Sequence, residues 1–154
     1  MKHHNELGRS MIEIIGILAL VGILSALALL GYQKGMAKHK LNVASDQIST
    51  IVSNISQAFV NEDNYVAISG STREEATKKA IDMHIFPEGM VQEDGETVLN
   101  VYKGNVYVYA VDYNGVEYGA YSIDYEGLPR DTVVAFATPA TNVENKMMMQ
   151  VDVN

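Results

Sequence analysis

No cysteine occurs anywhere in the 154 residues. The chain therefore has no thiol nucleophile, no thiolate metal site and no disulfide, so any domain it builds must be held by burial and hydrogen bonding alone. Basic side chains are scarce as well: 11 Lys and Arg stand against 19 Asp and Glu, for a formal net charge of -8. A nucleic-acid surface needs clustered Lys and Arg to displace counterions, so direct nucleic-acid binding is not expected, and the acidity serves solubility instead. Catalytic signatures are missing too. There is no G-x-S-x-G elbow, no phosphate-binding glycine loop and no paired-histidine metal motif. Adjacent His3 and His4 lack further ligands, His39 in its basic cluster reads as a solvated side chain, and His84 has no second His at a metal-like spacing. The carboxylates are scattered over loops and caps. An enzyme is not expected, and neither is a cofactor or a metal.

What the chain does have is a charge-free apolar run from Ile14 to Leu30, with Met11 and Ile12 in front of it. Such a run is about long enough for a helix across a hydrocarbon core of ~30 Å. Glu13 stands at its edge. A carboxylate there costs roughly 2.5–3.5 kcal/mol on insertion scales, so it calls for a partner or a function; the simpler alternative is an interfacial acid reaching back to the headgroups. A conventional secretory signal is a second alternative, with Lys2 and Arg9 as its basic region and Ala26-Leu27-Ala28 as a small-x-small cleavage site. That alternative leaves Glu13 unexplained, and the run is longer than the ~7–15 residues such cores need. Lys34, Lys38 and Lys40 follow the run, and by the positive-inside rule they would place that end in the cytoplasm.

Beyond Leu30 the pattern turns amphipathic. Leu41, Ala44, Ile48, Ile51, Val52, Ile55 and Phe59 fall on one helical stripe, and Lys40, Asp46, Ser49, Ser53 and Gln57 lie off it. The spacing predicts one helix from Ser10 to about Val60, roughly 75 Å long, bare in its first half and packed on a domain in its second. Gly31 and Gly35 are where it would bend or loosen. Asn61-Glu62-Asp63-Asn64 ends it. Thr72 and Glu75 have capping-box spacing and open a short helix to about Ile81 or Met83, ahead of Pro87. His84, beside Ile85 and Phe86, reads as partly buried or at an edge.

After Pro87 the period becomes two. Val98 to Tyr102 reads as a short strand. A hairpin follows, Val106–Val111 and Val116–Asp124, joined through Asp112-Tyr113-Asn114-Gly115. Val106, Val108 and Ala110 share one face, and Tyr107, Tyr109 and Val111 the other. Leu128 to Ala137 reads as a short helix with Pro129 in its first turn. The alternation from Met147 to Val153 reads as a closing strand, its methionines being filler and not a soft-metal site. The tyrosines between Tyr102 and Tyr125 suit half-buried strands; an exposed adhesive row is the lesser alternative.

Gly8-Arg9-Ser10-Met11-Ile12-Glu13 running into an unbroken apolar helix resembles the type III signal and first helix of type IV pilins and the related pseudopilins. The resemblance implies an α+β, pilin-like fold, with a long N-terminal helix, membrane-spanning in its first half, packed on a C-terminal antiparallel β-sheet. It divides the chain into a leader over 1–8, a transmembrane and assembly segment over 9–31, and a globular domain over 32–154 that includes the second half of the helix. It implies cleavage between Gly8 and Arg9 by a prepilin peptidase, methylation of the new amino terminus at Arg9, and Glu13 as the carboxylate that guides subunit assembly. Where the family commonly begins its mature chain with Phe or Met, this sequence has Arg9. Ile85-Phe86-Pro87, the Tyr/Val hairpin and Tyr125-Glu126-Gly127-Leu128-Pro129 are similar to the type IVb group, whose leaders are usually longer and whose last region usually carries a disulfide. The implied function is a structural subunit of a type IV pilus, with a secretion pseudopilin or an ordinary secreted or membrane-anchored binding protein as alternatives. Implied partners are further copies of the chain, the prepilin peptidase, the inner-membrane assembly or secretion machinery, and membrane lipid before assembly. The implied location is the inner membrane first, leader in the cytoplasm, and then an extracellular pilus or periplasmic pseudopilus.

Overall fold

The computed structural model describes residues 4–130, 132 and 147–150. The chain divides into two compact units, Met1–His39 and Lys40–Asn154. Helix α1 (His4–Ala58) accounts for the described part of the first unit and continues into the second. Gly31 and Gly35 lie inside it without interrupting the helical assignment. From Met11 to His39 every side chain is exposed.

In the second unit the predicted stripe turns inward. Ala44, Ile51 and Ile55 are fully buried and Ile48 and Phe59 nearly so, while Leu41 and Val52 are half-buried. Each large aliphatic chain buried this way is worth roughly 1.5–3 kcal/mol, which makes the stripe the main hold of the helix on its domain. Two polar side chains fix its register. Gln47 Oε1 accepts from the Tyr125 hydroxyl at 2.6 Å, and Asn54 Nδ2 donates to the Ile85 carbonyl at 2.9 Å.

A single 3₁₀ turn, Val66–Ile68, precedes helix α2 (Arg73–Asp82). The Thr72 hydroxyl accepts from the Glu75 N–H at 3.2 Å, as the capping-box spacing predicts. The return bond goes one residue further upstream, from the Ser71 N–H to the Glu75 carboxylate at 3.0 Å. At the other end, His84 N–H bonds the Ile81 carbonyl and Ile85 N–H the Ala80 carbonyl, the paired pattern of a Schellman stop. His84 takes the left-handed position of that motif, with φ 56°. It is exposed, not partly buried, because the reversal turns it outward while Ile85 enters the core.

The sheet contains β1 (Val106–Tyr113), β2 (Val116–Tyr125) and β3 (Met147–Gln150), in that spatial order. Asn114 and Gly115 have φ of 50° and 77°, the two positive angles that a tight I′ hairpin turn requires. The register places Val106 opposite Tyr125, Val108 opposite Ile123 and Ala110 opposite Tyr121, so the predicted inner face of β1 joins three buried residues of β2 and the α1 stripe in one core. The hairpin is antiparallel as expected, whereas β3 pairs with β2 in parallel, from Tyr121 opposite Met147 to Asp124 opposite Gln150. The sheet is therefore mixed. Val98 to Tyr102 is not a strand but two isolated bridges, Val91 to Val98 and Leu99 to Asn105. Asn100 is the reason: its Oδ1 accepts from the N–H groups of Tyr102 and Gly104, curling the backbone into a loop. The short helix expected to Ala137 is described only at Arg130 and Thr132, and the end of the closing strand, Val151 to Val153, lies outside the described residues.

Candidate functional site

The first unit presents an apolar surface with no covered side. Between Met11 and Leu30 the least exposed large apolar side chain is Val21, at 51 %, and the most exposed is Ile12, at 73 %. A helix that is apolar all round belongs in lipid or in the interior of an assembly. The charge-free stretch from Ile14 to Gln33 measures roughly 30 Å, the thickness of a hydrocarbon core, and α1 is the helix long and apolar enough to cross a membrane among the described residues. The Ser25 hydroxyl donates to the Val21 carbonyl at 2.7 Å, so this polar group is satisfied within the helix and costs little in an apolar medium. Gly16 and Gly22 have open space around them, which leaves room for another backbone to approach.

Glu13 is exposed at the start of this surface, and Gly8 and Arg9 lie one to two turns before it in the same helix. The three residues singled out by the sequence thus lie within two turns of one another in α1. Among the described residues no other acid or base interrupts the surface before Lys34.

A second constellation, on the outer face of the hairpin, was not evident from the sequence. Asp124 is buried on β2 and accepts from the Tyr109 hydroxyl at 3.1 and 3.2 Å. Arg73 reaches it from α2, with Nη1 3.5 Å from Asp124 and 3.1 Å from Glu126, while its guanidinium lies 4.1 Å from the centre of the Tyr107 ring. Burial pushes the Tyr107 and Tyr109 hydroxyls above the usual phenol range. An acid that shares a face with Ser122 and alternates with Ile123 and Tyr125 reads as part of the solvated outer face of a strand. The only hint to the contrary was Arg73, at the start of a helix whose first turn favours acids.

This cluster locks α2 onto the hairpin. It offers no nucleophile paired with a base, and among the described residues no group of three or more His, Asp or Glu could hold a metal. A shallow pocket beside it is lined by Glu74, Thr77, Glu96 and Tyr107 among others, and Thr77 is already engaged: its oxygen accepts from Val108 N–H at 3.1 Å and its hydroxyl donates to the Arg73 carbonyl at 2.7 Å. The tyrosines divide. Tyr121 and Tyr125 are buried, Tyr102, Tyr107, Tyr109 and Tyr118 half-buried, and Tyr113 exposed, so most of the row packs.

Compared with known proteins, residues 38–154 match the family described as PilS N terminal. No curated protein and no solved structure matches the chain.

Proposed function

This chain belongs to the pilin-related PilS N-terminal family, and on that premise we propose that it is a structural subunit of a type IV pilus, processed by a prepilin peptidase and polymerised through α1. The observation that carries the reading is the all-round apolar surface from Met11 to Leu30, opened by a single carboxylate, on the same helix whose next stretch is embedded in the family-matched domain. Before assembly that surface sits in the inner-membrane bilayer, with the leader of residues 1–8 in the cytoplasm. On assembly it exchanges lipid for the same helix of other copies, which Gly16, Ala19, Gly22, Ser25, Ala26 and Ala28 allow to approach closely.

Glu13 has the central role in this mechanism. Carried into a dry bundle of helices, an unpaired carboxylate is costly. The mature amino terminus of a neighbouring copy, or the Arg9 guanidinium beside it, supplies the cation that offsets the cost and sets the axial stagger. Cleavage after Gly8 exposes that amino group, and methylation leaves it cationic.

Intact mass of the protein recovered from cells with and without the prepilin peptidase tests this. The expected mature chain begins at Arg9 and depends on the peptidase. A chain beginning at Leu29 in both strains would instead establish a conventional signal peptide and a secreted binding protein. A secretion pseudopilin shares the same processing, and recovery of the subunit in sheared surface filaments separates the two.

A further inference from the structure

The stretch of α1 that leads into the second unit and the far end of that unit carry opposite charge. In the first, Lys34, Lys38 and Lys40 follow one another within two helical turns, with exposed Tyr32 just before them and exposed Met36 among them. Lys40 lies over the Tyr102 ring at 5.7 Å, whereas Lys34 and Lys38 are exposed and make no ion pair among the described residues.

Roughly 27 Å further along, where α1 ends, three segments converge. Phe59 meets Tyr65 at 4.9 Å between ring centres, Tyr65 meets Tyr121 at 5.0 Å, and the Tyr65 N–H donates to the Tyr118 carbonyl at 2.9 Å. These contacts bring the tip of the hairpin beside the helix end. Four apolar side chains there point away from the core: Val60, 73 % exposed, and Val66, Val116 and Tyr113. Glu62, Asp63, Asp112 and Glu117 belong to the same segments, all exposed and without an ion pair among the described residues, the Asp112 carboxylate accepting the Tyr118 N–H at 2.9 Å. Neither residues 59–68 nor residues 112–118 contain a lysine or arginine.

An apolar centre with a polar rim is the anatomy of a protein interface. Here the rim has one sign, so the partner must present apolar side chains among cations. We propose that this partner is a second copy of the chain, whose Tyr32–Lys40 collar docks on the acid-rimmed end of the first. The collar has both required ingredients, and its Lys34 and Lys38 are not held in ion pairs among the described residues, whereas Arg73, Lys78 and Lys79 of α2 are. Because the two surfaces differ, the contact is heterologous: each copy that docks leaves one collar and one acidic end free, so the contact can repeat from copy to copy, as a filament requires. The contact rests on the filament reading and adds to it an axial junction outside the apolar helix surface.

The absence of native cysteine makes the test clean. A full-length chain carrying both Lys38→Cys and Asp63→Cys, oxidised in intact cells, is expected to give a ladder of dimers, trimers and higher species, whereas each single variant stops at dimers. In parallel, Lys34→Glu with Lys38→Glu is expected to lower recovery in sheared filaments about tenfold, as is Glu62→Lys with Asp63→Lys, since like charges then face each other. Combining the two reversals restores assembly to within about threefold of wild type, by the same pairing. Mature protein in the membrane fraction reports that each variant is made and folded.

Normal assembly of both single-end reversals, or no ladder where wild-type filaments form, overturns the contact and leaves the filament reading intact. Loss on reversing the collar alone, with the acidic end indifferent and no rescue, assigns the lysines to anionic lipid headgroups and also overturns it. If the wild-type chain never appears in sheared filaments, the filament reading fails; a ladder in the membrane fraction then still supports the contact, and its absence removes both.

Discussion

Two stretches of α1 have the same backbone and opposite surroundings. From Met11 to Leu30 no large apolar side chain is less than half exposed, while from Ala44 to Ile55 the inward positions are almost wholly covered. The difference lies in the angular distribution of apolar residues. In the second stretch they return every three or four positions and leave a polar back, so one side finds a core and the other finds water. In the first they occupy every direction, and no arrangement of a single chain covers them all. The second stretch completes a domain; the first leaves its apolar surface uncovered.

If that contrast is right, folding stability resides in one stretch only. The largest expected effect is Ile51→Ala, which leaves a cavity in the centre of the stripe and costs about 2–5 kcal/mol. Leu20→Ala, an equally large truncation on the exposed stretch, changes stability by less than about 0.5 kcal/mol. Denaturant unfolding of the detergent-solubilised chain, followed by tyrosine circular dichroism, compares the two directly. Equal losses would erase the contrast.

Next in size is Thr77→Val, at about 1–3 kcal/mol. The hydroxyl that accepts from Val108 N–H covers the outer edge of β1, and a methyl of the same volume leaves that buried donor unpaired. The same unfolding measurement checks it, and no loss would mean that water reaches the edge. Gly115→Val follows, at about 1 kcal/mol or more. Nothing lies within 4 Å of a side chain added there, so the cost is that of a β-branched residue at φ 77° and not of crowding. An unchanged melting temperature would show that the turn relaxes.

The smallest effect near neutral pH is the alkaline one. Burial raises the Tyr121 hydroxyl from 10.0 to about 12 and pushes Tyr125 up as well. A folded-state value above the unfolded one means that the unfolded chain loses its proton first. The stability from keeping these phenols neutral is therefore complete below pH 10 and is lost as pH rises through about 12. Ultraviolet titration should show Tyr121 and Tyr125 ionising only as the second unit unfolds, and Tyr121→Phe should make the alkaline loss shallower. Ionisation of all nine tyrosines near pH 10 in the folded chain would contradict the burial.

The elements legible in the sequence were those set by local rules. The α1 stripe was given by its period, the hairpin by Asn114-Gly115, and the start of α2 by Thr72 and Glu75. What escaped was decided by residues distant in the chain. Val98 to Tyr102 has strand composition, yet Asn100 bonds its own loop and, through Nδ2, the Glu126 carbonyl at 2.8 Å. Gly104 shows why the loop lies there, since a Cβ on it would sit 1.9 Å from the Glu126 carbonyl oxygen. Alternation predicts Ser122 and Asp124 on a wet face, but both are buried, Asp124 beneath Tyr109 and Arg73. The direction of β3 depends on the path of the preceding chain, on which a four-residue apolar strand carries no information. At the candidate site, composition made the apolar surface plain, whereas the significance of Gly8, Arg9 and Glu13 came from resemblance.

The central claim is that α1 assembles copies through its exposed stretch with Glu13 as the guiding charge, and one comparison reaches it most directly. Glu13→Ala, expressed as the only copy, is expected to insert in the membrane and to be cleaved after Gly8 as wild type is. Its recovery in sheared filaments should fall about tenfold or more, with Glu13→Asp intermediate because the charge survives at shorter reach. Filaments of Glu13→Ala as abundant as those of wild type, at equal mature protein in the membrane, would contradict the claim and leave Glu13 an interfacial residue at the edge of an anchor.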